Sequence, residues 1–445
     1  MSALSPRLLR GTARLLGGSL LQRPTAAVLG LLSRTVLPIV GAERFAAGVP
    51  EPSSGGAGEQ DAFVIRFPPA TCVAGPLAGE PVAVKDSIDV AGAPTGLGLR
   101  EGGYVAERDA AIVARVRGAG GFIAGKTKMT ELGMDGLGAV IHLAMPRNPR
   151  APGYFPGGSS TGTAVAVASG LARYGLGGDG MGSVRIPAAY CGLVGLKPTH
   201  GRLPTEGYPS PAPSMDVPGP MARTAADCAL LWQVLAGERP APLTPLAPPR
   251  VGVIRQLGPD LATRSIVAAF HRVIRALGSR IEEVDVPGAE HNTFLGMAAA
   301  AHELARSQFV SGELSSAGQL NIVLGLAVGL ADARALTGRR DRLRDAALRA
   351  LDRAGVLAMP TTAIPPPAIT RPLLDGGQDA LLLRAIGAYT PLANCTGLPA
   401  IAVPSGVDDR GRPLSIMFVG APGTENELLR IALAVEEAKL ASLPV

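Results

Sequence analysis

The sequence predicts an α/β fold with a mixed, largely parallel central sheet flanked by helices. Two patterns carry that reading. Short apolar runs of strand length alternate with amphipathic stretches of helix length, as expected for strands joined by crossover helices. The composition also suits a packed core, because 47% of the 445 residues are hydrophobic and 18% are charged, which argues against an extended disordered chain. Aromatic residues make up only 4%, so Ala, Val, Leu and Ile must fill that core. The length allows one large α/β domain or two to three smaller ones.

The elements follow in order. No acidic residue precedes Glu43, whereas Arg7, Arg10, Arg14, Arg23 and Arg34 fall in this stretch. An acid-poor, Arg-bearing start resembles an organellar transit peptide. Arg7, Arg10 and Arg14 also share one helical face, which suits a helix lying on a domain or a membrane surface. No apolar run approaches the ~20 residues needed to span a bilayer. Residues 1–60 are therefore expected to be an N-terminal helical segment and linker, ending in PEPSSGGAGEQ at 50–60. The expected location is cytoplasmic, with organellar targeting or membrane-surface association left open by the basic segment.

From residue 61 the pattern becomes α/β. Val82, Ala83, Val84 and Lys85 form a short apolar run ending in a charge, residues 106–118 read as an amphipathic helix, and 122–124 as a strand. Residues 250–254 are strand-like. Ile266, Val267, Phe270, Val273, Ile274 and Leu277 then recur at helical spacing, Gly278 stops that helix, and 281–286 is a further strand. No internal repeat of fixed period is seen.

Charge and cysteines narrow the function classes. The formal net charge is +6, but the Arg residues are spread among acids and no basic cluster with interleaved aromatics is present, so a nucleic-acid partner is not expected. Arg339, Arg340 and Arg342, interrupted by Asp341, read as a solvated helix face. Cys72, Cys191, Cys228 and Cys395 lack CxxC spacing and read as buried free thiols in a reducing compartment rather than a metal or disulfide framework. No metal or other cofactor is implied.

The most informative stretch is 156–201, PGGSSTGTAVAVASGLARYGLGGDGMGSVRIPAAYCGLVGLKPTHG. Two Ser-bearing, Gly-flanked turns, at Gly157-Gly158-Ser159-Ser160 and Gly180-Met181-Gly182-Ser183, bracket an Ala/Val helix. Glycine lets backbone N–H groups approach a ligand closely, as an oxyanion hole requires. A phosphate loop would need GxxxxGK[ST], and no Lys follows Gly162. A GxSxG elbow is absent at both serines. His142 and His200, the histidines of this half, read as structural, so a general base other than His is required.

At this point the residues resemble the amidase-signature family. Residues 79–96 (GEPVAVKDSIDVAGAPTG) are similar to its lysine segment and 125–133 (GKTKMTELG) to its Met-bearing segment. The Gly/Ser stretch, 215–227 (MDVPGPMARTAAD), 359–362 (MPTT), 394–404 (NCTGLPAIAVP) and 413–420 continue the pattern. The resemblance implies one amidase-signature domain at 61–445, with its core at about 75–235 and 355–435 and a variable helical region at about 240–350. It implies a Ser-cisSer-Lys triad of Lys85, Ser159 and Ser183, with backbone N–H groups of Gly180, Met181, Gly182 and Ser183 as the oxyanion hole. Asp179 and Arg185 would be an ion pair supporting the nucleophile turn, and Met129 and Glu131 would stand near the active-site wall. Ser160 and Thr163 would either join the proton network or cap the following helix.

The chemistry is workable without histidine. A lysine at the end of a buried strand can lose its proton near neutral pH. The neutral amine can then take a proton from Ser183 through the Ser159 hydroxyl. The expected activity is hydrolysis of a small carboxamide to an acid plus ammonia or an amine, through an acyl-enzyme on Ser183. Two alternatives are the glutaminase component of a tRNA-dependent amidotransferase and a non-catalytic family member that binds a partner. The expected partners are a small-molecule amide and, as an open possibility, a second copy in a homodimer. Residues 132–137, the helix around Glu303, and the segments 361–365 and 389–394 are expected to line an apolar acyl pocket. Thr161 and Met181 stand where the family commonly has glycine; a methionine forced to positive φ would cost about 1 kcal/mol or more.

Overall fold

A computed structural model describes residues 62–70, 74–100, 103–139, 142–307, 314–374 and 379–438. The expected N-terminal helical segment and linker, and Cys72, lie outside the described residues. The frame is one eleven-stranded sheet built from β1 (Phe63–Arg66), β2 (Pro81–Lys85), β5 (Phe122–Thr127), β6 (Tyr174–Asp179), β7 (Val194–Lys197), β8 (Val217–Ala222), β9 (Arg250–Ile254), β10 (Arg280–Val284), β11 (Leu357–Pro360), β12 (Ala400–Val407) and β13 (Pro413–Val419). Its spatial order is β1-β5-β2-β6-β8-β7-β12-β13-β11-β9-β10. The short strands β3 (Pro94–Thr95) and β4 (Tyr104–Val105) pair separately.

The α/β class holds, but the expectation of a largely parallel sheet does not. Only β5-β2-β6 and β11-β9-β10 are parallel, while the other six pairings are antiparallel. The connections explain the difference. β12 turns directly into β13 through residues 408–412, where Asp408 accepts the N–H of Arg410 and Arg412. No helix lies between β7 and β8, and without a crossover a following neighbour runs antiparallel.

Strand alternation divides the core between the two faces of the sheet. Val82, Val84, Leu176, Ile416 and Phe418 pack on one side with α1 (Ala111–Gly118), α4 (Ala225–Ala236), α5 (Arg264–Ala276) and α11 (Glu425–Glu437). On the other side Ala83 and Met221 meet α2 (Thr161–Ala168) and α3 (Arg185–Tyr190). Leu357, Met417 and Val419 meet α6 (Asn292–Arg306), α7 (Ser316–Ala354) and α10 (Pro391–Thr396). All eight residues of α2 are buried, and its sequence of Ala, Val, Gly and Thr carries no charged face for solvent.

Boundaries shift where tertiary pairing competes. The helix expected at 106–118 starts only at Ala111, because β4 pairs with β3 and the Ala106 N–H is given to the Ala93 carbonyl. The expected strand at 281–286 is β10, and the helix of Ile266 to Leu277 is α5. α8 (Arg371–Leu374) and α9 (Ala380–Ile386) are the remaining α-helices among the described residues. Cys191, Cys228 and Cys395 are buried free thiols. Among the described residues no helix is long and apolar enough to cross a membrane.

Candidate active site

β2 and β6 are parallel neighbours, so their carboxyl ends lie side by side, the position where open α/β sheets place ligands. Lys85 ends β2 and Asp179 ends β6. The turn 180–183 follows β6 and leads into α3, while Ser159 and Ser160 precede α2 on the same side. The two serine turns are joined where the Ser160 N–H donates to the Ser183 carbonyl at 3.2 Å. Lys85, Ser159, Gly180, Met181 and Ser183 all line one cavity.

Lys85 is buried, and its Nζ donates to Ser159 Oγ at 2.8 Å and more weakly to the Gly178 carbonyl at 3.5 Å. Burial lowers its pKa to about 8, against the opposing pull of Asp216 and Asp179, so a substantial neutral fraction exists at mildly alkaline pH. The Gly158–Ser159 peptide is cis, as the resemblance implied.

The turn 180–183 is held from below by Asp179 and Arg185, both fully buried. The Asp179 carboxylate accepts the Gly182 N–H at 2.7 Å, the Val184 N–H at 3.2 Å, and the Arg185 guanidinium at 2.8 and 2.9 Å. Burial alone would raise the carboxyl pKa, but Arg185 and the Asn394 amide hold it well below the usual carboxylate range. Asn394 bridges the pair by donating to Asp179 Oδ1 and accepting from Arg185 Nη2. Thr390 adds its carbonyl for Arg185 Nη1 and its hydroxyl for the Met181 carbonyl, each at 2.8 Å.

These bonds revise several expectations. The Gly182 N–H is given to Asp179 and Gly182 does not line the cavity. The turn residues that do line it are Gly180, Met181 and Ser183. Gly182, at φ +122°, is the position that demands glycine, since a Cβ there would fall 2.4 Å from Thr390 Oγ1. Met181 is not at positive φ, so no backbone strain attaches to it.

Met129 lines the cavity, whereas Glu131 does not; its carboxylate instead accepts the Ser315 N–H at 3.0 Å and bonds His142 Nε2 at 2.8 Å. Ser160 Oγ bonds both backbone groups of Gly178, and Thr163 Oγ1 pairs with Thr127 Oγ1 at 2.7 Å, so these hydroxyls brace the sheet and neither caps α2.

The pocket wall differs in part from expectation. Leu132, Gly133, Met134 and Gly136 line it, as do Thr293, Met297 and Ala300 of α6. Glu303 does not, being turned to Ser214, and no residue of 361–365 or 389–394 lines it. Sequence reasoning missed Tyr208, Asp216, Leu383 and Ile386, which also line the cavity. Asp216 sits in the MDVPGP motif and could have been singled out. The others come from segments with no motif.

Comparison with known proteins bears on the family and the fold. A family model described as Amidase matches residues 69–429. The chain is 35% identical over 410 residues to the A component of glutamyl-tRNA(Gln) amidotransferase from Deinococcus radiodurans, an alignment covering 81% of this chain and 84% of that one. It is 34% identical to a putative amidase, AmiA2, of Mycobacterium bovis, with 81% and 80% covered. Among solved structures, the A component of glutamyl-tRNA(Gln) amidotransferase from Thermotoga maritima superposes with a TM-score of 0.73 at 26% identity, over 86% of this chain and 90% of that one.

Proposed function

The chain belongs to the amidase family, whose members hydrolyse C–N bonds, and on that premise we propose that it cleaves a primary carboxamide with an apolar acyl group, through an acyl-enzyme on Ser183. The observation that carries this reading is the 2.8 Å hydrogen bond from Lys85 Nζ to Ser159 Oγ in the cavity that Ser183 also lines. Neutral Lys85 accepts a proton from Ser159, Ser159 takes one from Ser183, and Ser183 Oγ attacks the carbonyl carbon. The N–H groups of Gly180, Met181 and Ser183 hold the developing oxyanion. The C–N bond breaks as the proton returns through Ser159 to the departing nitrogen, which leaves as ammonia. Water, deprotonated by the same relay, then releases the acid.

The apolar acyl group follows from the lining. Among the described residues the charged side chains at the cavity are Lys85 and Asp216; Ser87, Tyr208, Thr293 and Asn321 add neutral polar groups, and the wall beyond the serines and glycines is otherwise Leu, Met, Ile, Ala and Pro. With Lys85 serving as base, no second cation among these residues is left for the α-carboxylate of glutamine.

A second reading is favoured by the relatives: likeness to the A component of the amidotransferases supports a glutaminase that works within a complex. Ammonia release by the purified chain from aliphatic, aryl and indole-type carboxamides and from glutamine separates the two. The first reading expects turnover of apolar amides by the chain alone. Turnover of glutamine alone, or only with co-purified partners, establishes the second, and silence on every amide with no covalent labelling of Ser183 overturns both.

A further inference from the structure

Among the described residues, only Leu97 (φ 55°) and Leu132 (φ 50°) are non-glycine residues with positive φ. Both line the catalytic cavity. They occupy matching positions in two turns. In residues 96–99 the Leu99 N–H closes on the Gly96 carbonyl at 3.0 Å, and in 131–134 the Met134 N–H closes on the Glu131 carbonyl at 3.0 Å. Each leucine is followed by a glycine, Gly98 at +70° and Gly133 at +72°, so both central residues of each turn are left-handed. Glycine, asparagine or aspartate is the ordinary occupant of such a position. Leucine has no polar group to bond the local backbone as asparagine or aspartate does, and it is held there against its backbone preference.

The surroundings fix this conformation. The turns are bonded to each other through the Leu132 N–H and the Leu97 carbonyl at 2.9 Å. Gly98 packs so closely on the other turn's approach that a Cβ would fall 2.7 Å from the Thr130 carbonyl oxygen. Glu131, beside Leu132, anchors the start of α7 by accepting from the Ser315 N–H. Gly133 seats the second turn against the proposed relay, since a Cβ there would lie 3.3 Å from Ser159 Oγ and 3.8 Å from Lys85 Nζ. The two leucine side chains are buried with Leu304 of α6 and Ile322 of α7.

Unfavourable backbone that is held by its neighbours concentrates at functional sites. We propose that Leu97 and Leu132 are the specificity-determining residues of this cavity, a paired apolar wall that limits the length of the acyl group standing beside Lys85 and Ser159. This rests on the acyl-pocket reading given under Proposed function and extends it by naming what sets the length limit. The turn that seats Gly133 against the relay also presents Leu132 to the cavity, so the wall is held in fixed relation to the proton path. Leucine supplies apolar surface that asparagine would lack and bulk that glycine would lack.

The test uses linear primary carboxamides, from acetamide to octanamide, measured twice. Binding is read by calorimetry in the Ser183→Ala background, which needs no turnover, and kcat/KM is read in the background with Ser183 intact. Shortening Leu97 or Leu132 to Ala should move the preferred chain length upward and raise the ratio of long to short amides by roughly tenfold or more, the scale of a methylene or two in an apolar pocket. An unchanged length preference in both variants overturns the proposal. The backbone premise is checked by melting temperature: Leu132→Gly should be at least as stable as Leu132→Ala, because glycine accepts positive φ, and a clearly less stable glycine variant contradicts it. Failure of turnover in the wild type with a length-dependent binding series sinks the triad reading while leaving this one standing. Turnover with no shift in either series does the reverse.

Discussion

The turn 180–183 and the pair Leu97 and Leu132 face the same cavity but are held by opposite means. Around 179–185 the fixing forces are polar: a fully buried ion pair, an asparagine bridging both partners, and a threonine clamping the next carbonyl. Around Leu97 and Leu132 the side chains are fixed by apolar packing and the backbone by its two turns. The first arrangement admits few substitutions, because each partner removed leaves a buried charge or donor unsatisfied. The second sets a shape, and shapes can be changed by a methyl group at modest cost. On the proposed reading, chemistry belongs to the rigid polar side of the cavity and choice of substrate to the apolar side.

That contrast is broken most severely at the reacting groups. Ser183→Ala and Lys85→Ala should each lower kcat/KM by roughly 10⁴-fold or more while leaving the melting temperature nearly unchanged, as steady-state kinetics and calorimetry would show. Next comes the support: Asp179→Asn leaves Arg185 uncompensated and should cost about 3–5 kcal/mol of stability in denaturant titrations, with activity lost in step. A smaller effect separates two neighbouring residues of the turn. Gly182→Ala should cost about 1–3 kcal/mol and most of the activity, because its Cβ meets Thr390 and its φ is left-handed. Met181→Ala, at ordinary φ, should hold kcat within a few-fold. The smallest is Thr163→Val, which removes the bond to Thr127; about 1 kcal/mol of stability should go with no change in kcat/KM. A large kinetic loss there would draw Thr163 into the relay and blur the division.

The proposed reacting groups were legible as candidates in the sequence because their local requirements are severe. A lysine closing an apolar run and two Gly-flanked serines 24 residues apart, Ser159 and Ser183, are rare patterns that resemble the family's. The Asp179–Arg185 pair was readable for the same reason. The bond from the Gly182 N–H to Asp179 was not, since it depends on how the turn folds back on β6. Sheet direction was misread because short buried strands look alike whether their neighbour runs parallel or antiparallel. The turn Asp408-Asp409-Arg410-Gly411-Arg412 between the apolar runs of β12 and β13 was the available sign of a hairpin. Leu97 and Leu132 were illegible as a pair, because nothing local in Gly-Leu-Gly or Glu-Leu-Gly announces a positive φ at leucine. Segment 389–394 looked like pocket lining and proved to be the clamp behind the turn, a role fixed only by long-range packing.

The account turns on a lysine that works as a base through Ser159. Its most direct test is the rate at which a small fluorophosphonate labels the protein as a function of pH, with the adduct located by peptide mass spectrometry. Since burial lowers the Lys85 pKa to about 8, labelling should fall exclusively on Ser183, slow as pH drops through about 8 and the amine becomes protonated, and vanish in Lys85→Ala. An adduct on another residue, or a rate on Ser183 that ignores both pH and the loss of Lys85, would contradict it.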